Sequence, residues 1–388
     1  MSIILNKEEL ATNPLRKDAL EILEAGLGVI DTEKILQKKF PDIVKNFDLK
    51  SYNKIFFVGI GKCALDGAKV IEEILGDYLT EGIVLDIKQG NLKKIRSLAG
   101  THPYPSEQNV EATKEILKMV GSLTEKDLVI CLISGGGSAL FELPMPGITL
   151  DNIIEKTKEL TARGADIYEL NAIRKSMSQV KGGKFAKLCY PAQIISLIFS
   201  DVLGNDLSVI ASGPTVLDEP SEKVKNILLV SNHDALEAMK VKAEEFGFNT
   251  TIETEVLSGN AAEMGKELAI RKPKSNTCIL FGGETTVRVP QNHGIGGRNQ
   301  EMALSALLYL RPDSVLICAA SDGWDNTDHA GALADTELLQ KAKNLNLVPE
   351  EFLMHGDSYN FYKNIGDGAI CTGKLESNVS DLCIMLYK

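Results

Sequence analysis

Four apolar runs of the sequence end in loops whose residues could do phosphate or metal chemistry. The loops read GIGK, SGGGS, SDVLGND and SDGWD, and they begin at Gly59, Ser134, Ser200 and Ser321. Backbone N–H groups of glycine-rich turns and lysine ammonium groups bind phosphate, whereas carboxylates bind hard cations such as Mg²⁺. The four loops together predict one polar site that handles phosphate and a divalent metal ion.

The first loop carries Gly59, Gly61 and Lys62 immediately before a predicted helix. That order places N–H groups and one ammonium at a helix N-terminus, where anions bind. The loop matches neither the P-loop pattern nor the dinucleotide pattern G-x-G-x-x-G, because residue 64 is Ala64. Asp86 nevertheless ends the next apolar run, where nicotinamide enzymes carry a ribose-binding acid. A nicotinamide site and a turn used only for packing therefore stay open as alternatives.

The second loop contains three consecutive glycines, which favour close approach of a ligand to the main chain. A phosphate cradle is the main hypothesis; a flexible linker and a serine nucleophile are the alternatives, although G-x-S-x-G is absent. The residues predicted to bind the nucleotide are Gly59, Gly61, Ser134, Gly135, Gly136, Gly137, Ser138, Gly204, Asn205, Gly282 and Glu284.

Carboxylates and one arginine complete the candidate site. Asp201, Asp206 and Asp325 are the predicted metal ligands, because Mg²⁺ binds carboxylate and water oxygens beside phosphates. A cap on the next turn is the alternative for Asp206. Asp201 or Asp322 is expected to accept the proton of a substrate hydroxyl. Arg298, in the loop GIGGRNQE, suits bidentate contact with a carboxylate or phosphate, with a surface ion pair as the alternative.

Composition excludes several classes of protein. The 388 residues carry a net charge of -11, which leaves no basic stripe for sequence-independent nucleic-acid binding. No apolar run approaches the roughly 20 residues of a membrane helix. The seven cysteines show no C-x-x-C spacing and predict buried, reduced thiols. We expect a cytoplasmic protein, monomeric or homodimeric, that acts on a small molecule without nucleic-acid or membrane partners.

The order of the elements predicts an α/β fold. Residues Lys54–Val58, Asp127–Ile133 and Gln193–Phe199 are predominantly apolar after a polar first residue, which is typical of parallel strands covered by helices on both faces. Helices are expected over Lys62–Leu75 and Leu170–Leu188, among other segments.

The chain is expected to form two domains. An acidic, proline-bearing stretch at Asp218–Glu222 marks the predicted boundary. Residues 1–217 would form a Rossmann-like domain with a parallel sheet. Residues 218–388 would form a second, smaller α/β domain with a mixed sheet.

Nine motifs in order resemble one family, the glycerate 2-kinases whose C-terminal half carries a MOFRL domain. The motifs are GIGK at Gly59, THPYP at Thr101, SGGGSAL at Ser134, VKGGK at Val180, SD at Ser200, IASGPT at Ile210, GGETTV at Gly282, GGRNQE at Gly296 and DG at Asp322. No single motif is decisive, but nine in order over most of the chain are highly specific.

The resemblance implies transfer of the γ-phosphoryl group of ATP, with Mg²⁺, to the 2-hydroxyl of D-glycerate, which gives 2-phosphoglycerate. It also implies two α/β domains with the active site in the cleft between them. It points to Lys62 and Arg298 as catalytic residues, together with Asp201 and Asp322 from the loop analysis.

Two segments depart from the family pattern and leave the hydroxy acid open. The usual D-G-x-D-G-P-T-D-A-A-G reads DGWDNTDHAG over Asp322–Gly331, one residue shorter, and the usual T-G-P-T-G-T-N reads TGKLESN over Thr372–Asn378. The alternatives are a kinase of another small sugar acid, an NAD(P)H-dependent hydroxypyruvate reductase and a non-catalytic nucleotide sensor.

Overall fold

The computed structural model describes residues 2–388, which form two compact α/β units. The parallel-sheet unit comprises Thr32–Val230, and the mixed-sheet unit comprises residues 2–31 together with Ser231–Lys388. Each unit is built on one six-stranded sheet. The predicted pair of α/β domains, one with a parallel sheet and one with a mixed sheet, is confirmed.

The parallel sheet has the strand order β3-β2-β1-β4-β5-β6, with every neighbouring pair parallel. This is the Rossmann order, and it reverses direction between β1 and β4. Ligands of doubly wound sheets bind outside the carboxyl ends of the strands at such a point. Strands β1 to β6 are Lys54–Ile60, Glu81–Asp86, Ile95–Ala99, Asp127–Ile133, Gln193–Phe199 and Val224–Val230.

The central strands of this sheet are buried on both faces, as the continuous apolar runs predict. All of β4 is buried, as are all residues of β1 and β5 except the first. Helices cover both faces, so each strand is removed from water on its two sides. Helices α3 to α9 are Thr32–Lys45, Ala64–Leu75, Glu107–Met119, Gly137–Leu140, Leu150–Ala162, Ile167–Met177 and Lys184–Cys189.

The mixed sheet has the strand order β11-β10-β9-β12-β8-β7. Only β7 and β8 are parallel, while the C-terminal strand β12 runs antiparallel to β8 and β9. Strands β7 to β12 are Asn249–Leu257, Thr277–Gly283, Ser314–Ala320, Gly331–Asp335, Ala369–Ile370 and Asp381–Tyr387. The helices of this unit are α1 (Lys7–Leu10), α2 (Pro14–Val29), α10 (Asn232–Glu245), α11 (Ala261–Ala269), α12 (Arg298–Leu307), α13 (Thr336–Asn344), α14 (Pro349–Met354) and α15 (Ser358–Ile365).

The division of the chain differs from the predicted domains 1–217 and 218–388. The acidic stretch after Pro214 precedes β6, which is still part of the parallel sheet, so the units divide after Val230. The first helices belong with the C-terminal residues: a Cβ on Gly26 of α2 would lie 2.6 Å from Cγ of Met239 on α10. Such tight helix packing explains why the N-terminal segment folds onto a sequence-distant partner.

The predicted helix over Leu170–Leu188 is wrong, because two glycines interrupt it. Gly182 and Gly183 have φ angles of 60° and 73°, in the left-handed region that glycine tolerates. The chain is already extended at Ser178, where α8 ends, and the two left-handed glycines delay the next helix, so α9 begins at Lys184.

Two further sequence expectations concern the whole chain. All seven cysteines are free thiols; six are buried and Cys371 is half-buried. Within residues 2–388, no helix has both the length and the apolar character needed to cross a bilayer.

Candidate functional site

The loops after β1 and β4 are bonded into one unit at the point where the strand order reverses. The Lys62 N–H donates to the Gly135 carbonyl at 3.0 Å, and the Ser134 N–H donates to the Ile60 carbonyl at 2.9 Å. A Cβ on Gly61, whose φ is +122°, would collide with the Ser134 side chain. Ser134 is buried and its hydroxyl lies between the two loops, and its contact with a nucleotide stays a prediction.

Lys62 projects an uncommitted cation from this pair of loops. Its side chain is half-buried, and its ammonium makes no hydrogen bond or ion pair with any residue between 2 and 388. Gly136, with φ of +83°, approaches it closely: a Cβ there would lie 3.0 Å from Lys62 Cγ and 3.3 Å from His102 Cδ2. Keeping a half-buried ammonium without a partner costs free energy unless an anion binds to it.

Asp201, at the end of β5, lies beside the same loop. A Cβ on Gly135 would collide with the Asp201 carboxylate, so the glycine is needed for this approach. Burial raises the pKa of Asp201, and the charge of Lys62 opposes that rise. Lys62, Gly135 and Asp201 thus lie together, with a carboxylate that takes up a proton more readily than an exposed one.

A chain of hydroxyls adjoins the glycine loop. The Oγ atoms of Ser138 and Ser212 lie 2.9 Å apart, and Ser212 Oγ donates to Asn171 Oδ1 at 2.6 Å. Ala211 and Ser212 have φ angles of 50° and 61°, an unfavourable conformation for residues with a Cβ. Gly137 allows the glycine loop to approach Ala211 closely, since a Cβ on Gly137 would lie 2.6 Å from Ala211 Cβ. Backbone strain of this kind clusters at functional sites.

Two further residues, His102 and Arg174, were not among the predicted site residues. His102 is exposed as a residue, yet partial burial of its ring, followed by the charges of Lys62 and Arg174, lowers its pKa to about 4. The imidazole is therefore neutral at neutral pH. The only sequence signals were the THPYP turn and a cation in a helix, and neither identifies a site by itself.

Asp86 and Gly59 both make close contacts within the fold, while the contact of Gly59 with a nucleotide stays a prediction. Asp86 Oδ2 accepts the Leu65 N–H at 2.9 Å, and its Oδ1 accepts the Ile87 N–H at 2.5 Å. This buried carboxylate therefore fills the anion position at the start of α4, and a ribose role is not available to it. Gly59 is buried within β1, where a Cβ would lie 2.9 Å from the Val84 side chain.

The loop after β5 contains the predicted residues Gly204, Asn205 and Asp206. Asp206 Oδ1 accepts the Ser208 N–H at 2.9 Å, which is the capping arrangement that stayed open as the alternative to metal binding. Gly204 and Asn205 have φ angles of 76° and 57°, so they form a left-handed turn. Their contact with a nucleotide stays a prediction.

In the mixed-sheet unit, two carboxylates orient Arg298. Its Nε and Nη2 donate to the Asp381 carboxylate, the latter at 2.9 Å, and Nη2 lies 3.1 Å from Glu284 Oε1. The Nη1 group has no partner within residues 2–388, and 32% of the side chain is exposed. Burial would lower the pKa of Arg298, but Asp381 outweighs it and raises the pKa, so the cation is permanent.

Asp325 is a correction to the predicted metal ligands. Its carboxylate accepts the N–H groups of Asn299 at 3.1 Å and Gln300 at 2.8 Å, at the start of α12. The side-chain amides of the same two residues also donate to it. Because Asp325 is buried and its acceptor positions are filled, it caps α12 and cannot also bind a metal ion.

Asp322 and Gly282 also have local partners. Asp322 Oδ1 accepts the Trp324 N–H at 3.0 Å, and Oδ2 accepts from the Asn378 amide at 3.3 Å. A Cβ on Gly282 would collide with the Asn232 side chain, so this glycine makes room for a protein group, and its contact with a nucleotide stays a prediction.

Glu301, one turn after Arg298 on α12, is a buried carboxyl that the sequence analysis missed. Burial and then the charge of Asp325 raise its pKa to about 7. Glu301 is the last residue of the motif GGRNQE, but the motif does not reveal that the carboxyl is buried, because the burial comes from tertiary packing.

No group of three or more His, Cys, Asp or Glu within residues 2–388 is placed to hold a metal ion. Mg²⁺ in phosphoryl-transfer enzymes usually binds to substrate phosphates and only one or two carboxylates. The carboxylate beside the glycine loop, Asp201, fits that requirement.

Two protein-family models match the chain. A domain of unknown function, DUF4147, matches residues 18–245, and the MOFRL family matches residues 277–381. The D-glycerate 2-kinase of Thermotoga maritima is 35% identical over 96% of this chain and 98% of its own length. The glycerate 2-kinase of Picrophilus torridus is 36% identical over 99% of both chains.

The chain belongs to the glycerate 2-kinase family. A crystal structure of the Thermotoga maritima glycerate kinase superposes with a TM-score of 0.88 at 34% identity, covering 96% of this chain and 99% of that one. A Pyrococcus horikoshii protein of solved structure gives a TM-score of 0.82 at 30% identity, covering 98% and 100%. The resemblance seen in nine sequence motifs is confirmed, and the glycerate 2-kinase family fold covers both units.

Proposed function

We propose that this chain transfers the γ-phosphoryl group of ATP to the 2-hydroxyl of D-glycerate and releases 2-phosphoglycerate. Its relatives are named glycerate 2-kinases at 35% and 36% identity over nearly the whole chain. The observation that carries the mechanism is the unpaired Lys62 ammonium beside Asp201 at the switch point of the parallel sheet.

Phosphoryl transfer depends on positioning and charge neutralisation more than on covalent help from the protein. Lys62 would contact the oxygens of the transferring phosphoryl group. Gly135 and Gly136, where a Cβ would meet Asp201 or Lys62, leave the main chain open to the nucleotide phosphates. Asp201, whose pKa burial raises, would take the proton of the substrate hydroxyl.

We propose that Mg²⁺ accompanies the nucleotide and is held by its phosphates and by Asp206, or by Asp201 where Asp322 takes the proton of the substrate hydroxyl. When bound, the ion neutralises charge on the phosphate oxygens. Asp206 keeps one carboxylate oxygen beyond its bond to Ser208, so capping does not prevent a metal contact. Asp325 is left out because its oxygens are filled.

Arg298 stays a proposed anion-binding residue, since its Nη1 is unpaired within residues 2–388 while Asp381 fixes the guanidinium plane. Asp322 is the alternative proton acceptor, and Glu284 orients Arg298. The expected interdomain position of the active site stays a prediction. So do the cytoplasmic location, the monomeric or homodimeric state and the absence of nucleic-acid partners.

A nicotinamide-dependent reductase is a weaker second candidate. The acid that would bind the ribose, Asp86, is committed to the start of α4. A kinase of another sugar acid shares every feature of the proposed site, and a nucleotide sensor would bind ATP without turnover. Activity assays, and not the geometry of the site, distinguish these alternatives from the proposed kinase.

The test is an ATP-consumption assay with Mg²⁺ across D-glycerate, L-glycerate, lactate, tartronate and longer sugar acids. We expect D-glycerate to give the highest kcat/KM, and ³¹P NMR coupling to show the phosphate on carbon 2 of the product. Phosphate on carbon 3, faster turnover of another acid, or NAD(P)H oxidation with hydroxypyruvate would each contradict the proposal.

A further inference from the structure

Arg174, on α8, is a half-buried cation to which no role has yet been given. Its guanidinium makes no hydrogen bond or ion pair with the residues described, 2–388. Burial lowers the pKa of this arginine, which measures the cost of keeping the charge away from water. A fold tolerates such a cost where the charge has a ligand to meet.

The helix that carries Arg174 is tied to the glycine loop. Asn171 lies three residues earlier and therefore on the same face of α8. Its Oδ1 accepts from Ser212 Oγ at 2.6 Å, and Ser212 Oγ lies 2.9 Å from Ser138 Oγ in the loop after β4. Two side-chain contacts thus fix this face of α8 against the proposed phosphoryl-transfer site.

The charges around Arg174 leave it available. Glu142 is the acid that acts on it most strongly, but the Glu142 carboxylate is bonded to the buried ammonium of Lys181. Lys181 is held further by the Phe141 carbonyl at 3.0 Å. Arg174 therefore feels a compensating charge without forming an ion pair, and its five N–H donors stay unused by the residues described.

We propose that Arg174 binds the carboxylate of the acceptor 2-hydroxy acid. A planar guanidinium matches two coplanar carboxylate oxygens, which a lysine cannot do. The charge of Arg174 reaches His102, which lies with Lys62 around Gly136 and adds no charge of its own at neutral pH. Two cations, Lys62 and Arg174, act on this neutral ring; with Lys62 assigned to the transferring phosphoryl group, Arg174 is left for the carboxylate of the acceptor. This inference rests on the proposed function and gives the site its selectivity for an acid.

The experiment compares wild type, Arg174→Gln and Arg174→Lys by calorimetric titration of D-glycerate without nucleotide, and by steady-state kinetics. Loss of a charged hydrogen-bonded pair should weaken D-glycerate binding about 10- to 100-fold in Arg174→Gln. Arg174→Lys keeps the positive charge but loses the planar pair of N–H donors, so its affinity for D-glycerate should lie between those of the wild type and Arg174→Gln. The KM for ATP should stay within about twofold, and the preference for D-glycerate over neutral D-glyceramide should fall by the same factor as the affinity.

Arg163→Gln is the matched control, since Arg163 is an exposed arginine near α8 whose partner is Glu169. It should leave every constant unchanged. Weaker ATP binding with unchanged D-glycerate binding would overturn the proposal and assign Arg174 to the nucleotide. Equal loss of D-glycerate and D-glyceramide would overturn it in favour of a structural role. If the wild type bound and phosphorylated no hydroxy acid, the proposed function itself would fail. If Arg174→Gln turned over D-glycerate normally, only the role of Arg174 would be disproved and the proposed function would stand.

Discussion

At the scale of single residues, the two predicted catalytic cations differ in how they are held. Arg298 is fixed by Asp381 and Glu284 and keeps one unpaired nitrogen among the residues described. The Lys62 ammonium has no hydrogen-bonding partner among the residues described, and the residue is positioned through its backbone N–H, which donates to the Gly135 carbonyl. A flexible ammonium beside a carboxylate can move with a phosphoryl group during transfer. A guanidinium held by two carboxylates keeps one orientation and binds its ligand only in that position.

Lys62→Ala should lower kcat about 100- to 1000-fold without loss of stability. The magnitude is typical of removing one group that stabilises transition-state charge. Stability should hold because the ammonium makes no bond to the described residues that folding would lose. Steady-state kinetics and thermal unfolding check both parts.

Lys69→Ala is the control for Lys62→Ala, because Lys69 lies on the adjoining helix α4 and is half exposed, bonded to Asp66. It should leave kcat unchanged. NMR offers an independent readout, since Lys62 lowers the pKa of His102 and its removal should raise that pKa from about 4. Near-normal kcat in Lys62→Ala would exclude this residue from the mechanism.

Glu301→Gln should change how stability depends on pH. Burial and Asp325 raise the pKa of Glu301 from 4.5 in the unfolded chain to about 7 in the fold. Between those values the folded state holds more protons, so the free energy of unfolding falls as pH rises, and the loss is complete above pH 7. The neutral variant should therefore exceed wild type by about 1–3 kcal/mol at pH 8 and match it near pH 4.5.

Urea unfolding at several pH values measures this difference, with the exposed Glu263→Gln as control. The control should unfold in parallel with wild type at every pH. A constant gap between Glu301→Gln and wild type from pH 4.5 to 8 would show that the carboxyl does not titrate in this window.

At the scale of elements, the sequence predicted the central strands of the parallel sheet, but it did not predict which residues the loops bond to. Runs such as Asp127–Ile133 are apolar after the first residue, because helices cover both faces of the sheet, and the bounds of this run match β4. Strand β6 was missed because it lies at the sheet edge and is only partly buried, so its apolar run is interrupted. The role of Asp86 could not be read, since its partner is an N–H group of a different element.

Asp86→Ala tests the link between the sheet and helix α4. The buried carboxylate satisfies N–H groups of Leu65 and Ile87, so its loss should cost about 2–4 kcal/mol of stability. Since α4 begins just after Lys62, kcat should fall as well. Chemical denaturation and kinetics on the same preparation measure both effects.

Thr149→Ala is the matched control, because Thr149 is an exposed cap that accepts the Asn152 N–H at the start of α7. It should cost about 1 kcal/mol and leave kcat unchanged. If Asp86→Ala cost no more than this control, the carboxylate would not be the anchor of α4.

At the scale of the whole molecule, the class of the fold was predictable and the path of the chain between its units was not. Alternation of apolar runs and helices predicts α/β architecture, and nine motifs place the chain in its family. The membership of α2 in the mixed-sheet unit depends on contacts with α10, more than 200 residues later. Local periodicity marks the buried face of α2 but does not name the element that covers it.

Arg16→Ala tests that membership. Arg16, on α2, is almost fully buried and donates to Asp335 at 2.6 and 2.8 Å and to Asp367 at 3.0 Å. Removing it strands two carboxylates in low dielectric, which should cost about 3–5 kcal/mol. Hydrogen exchange should quicken in β10 and α13, which begins at the Asp335 cap, while β1 and β4 keep their protection.

Arg288→Ala is the control: it removes an exposed pair with Glu263 at 3.5 Å and should change hydrogen exchange in neither unit. Equal loss of protection in both sheets would mean that the two units unfold as one cooperative body, and unchanged protection in β10 would mean that α2 does not anchor the mixed sheet.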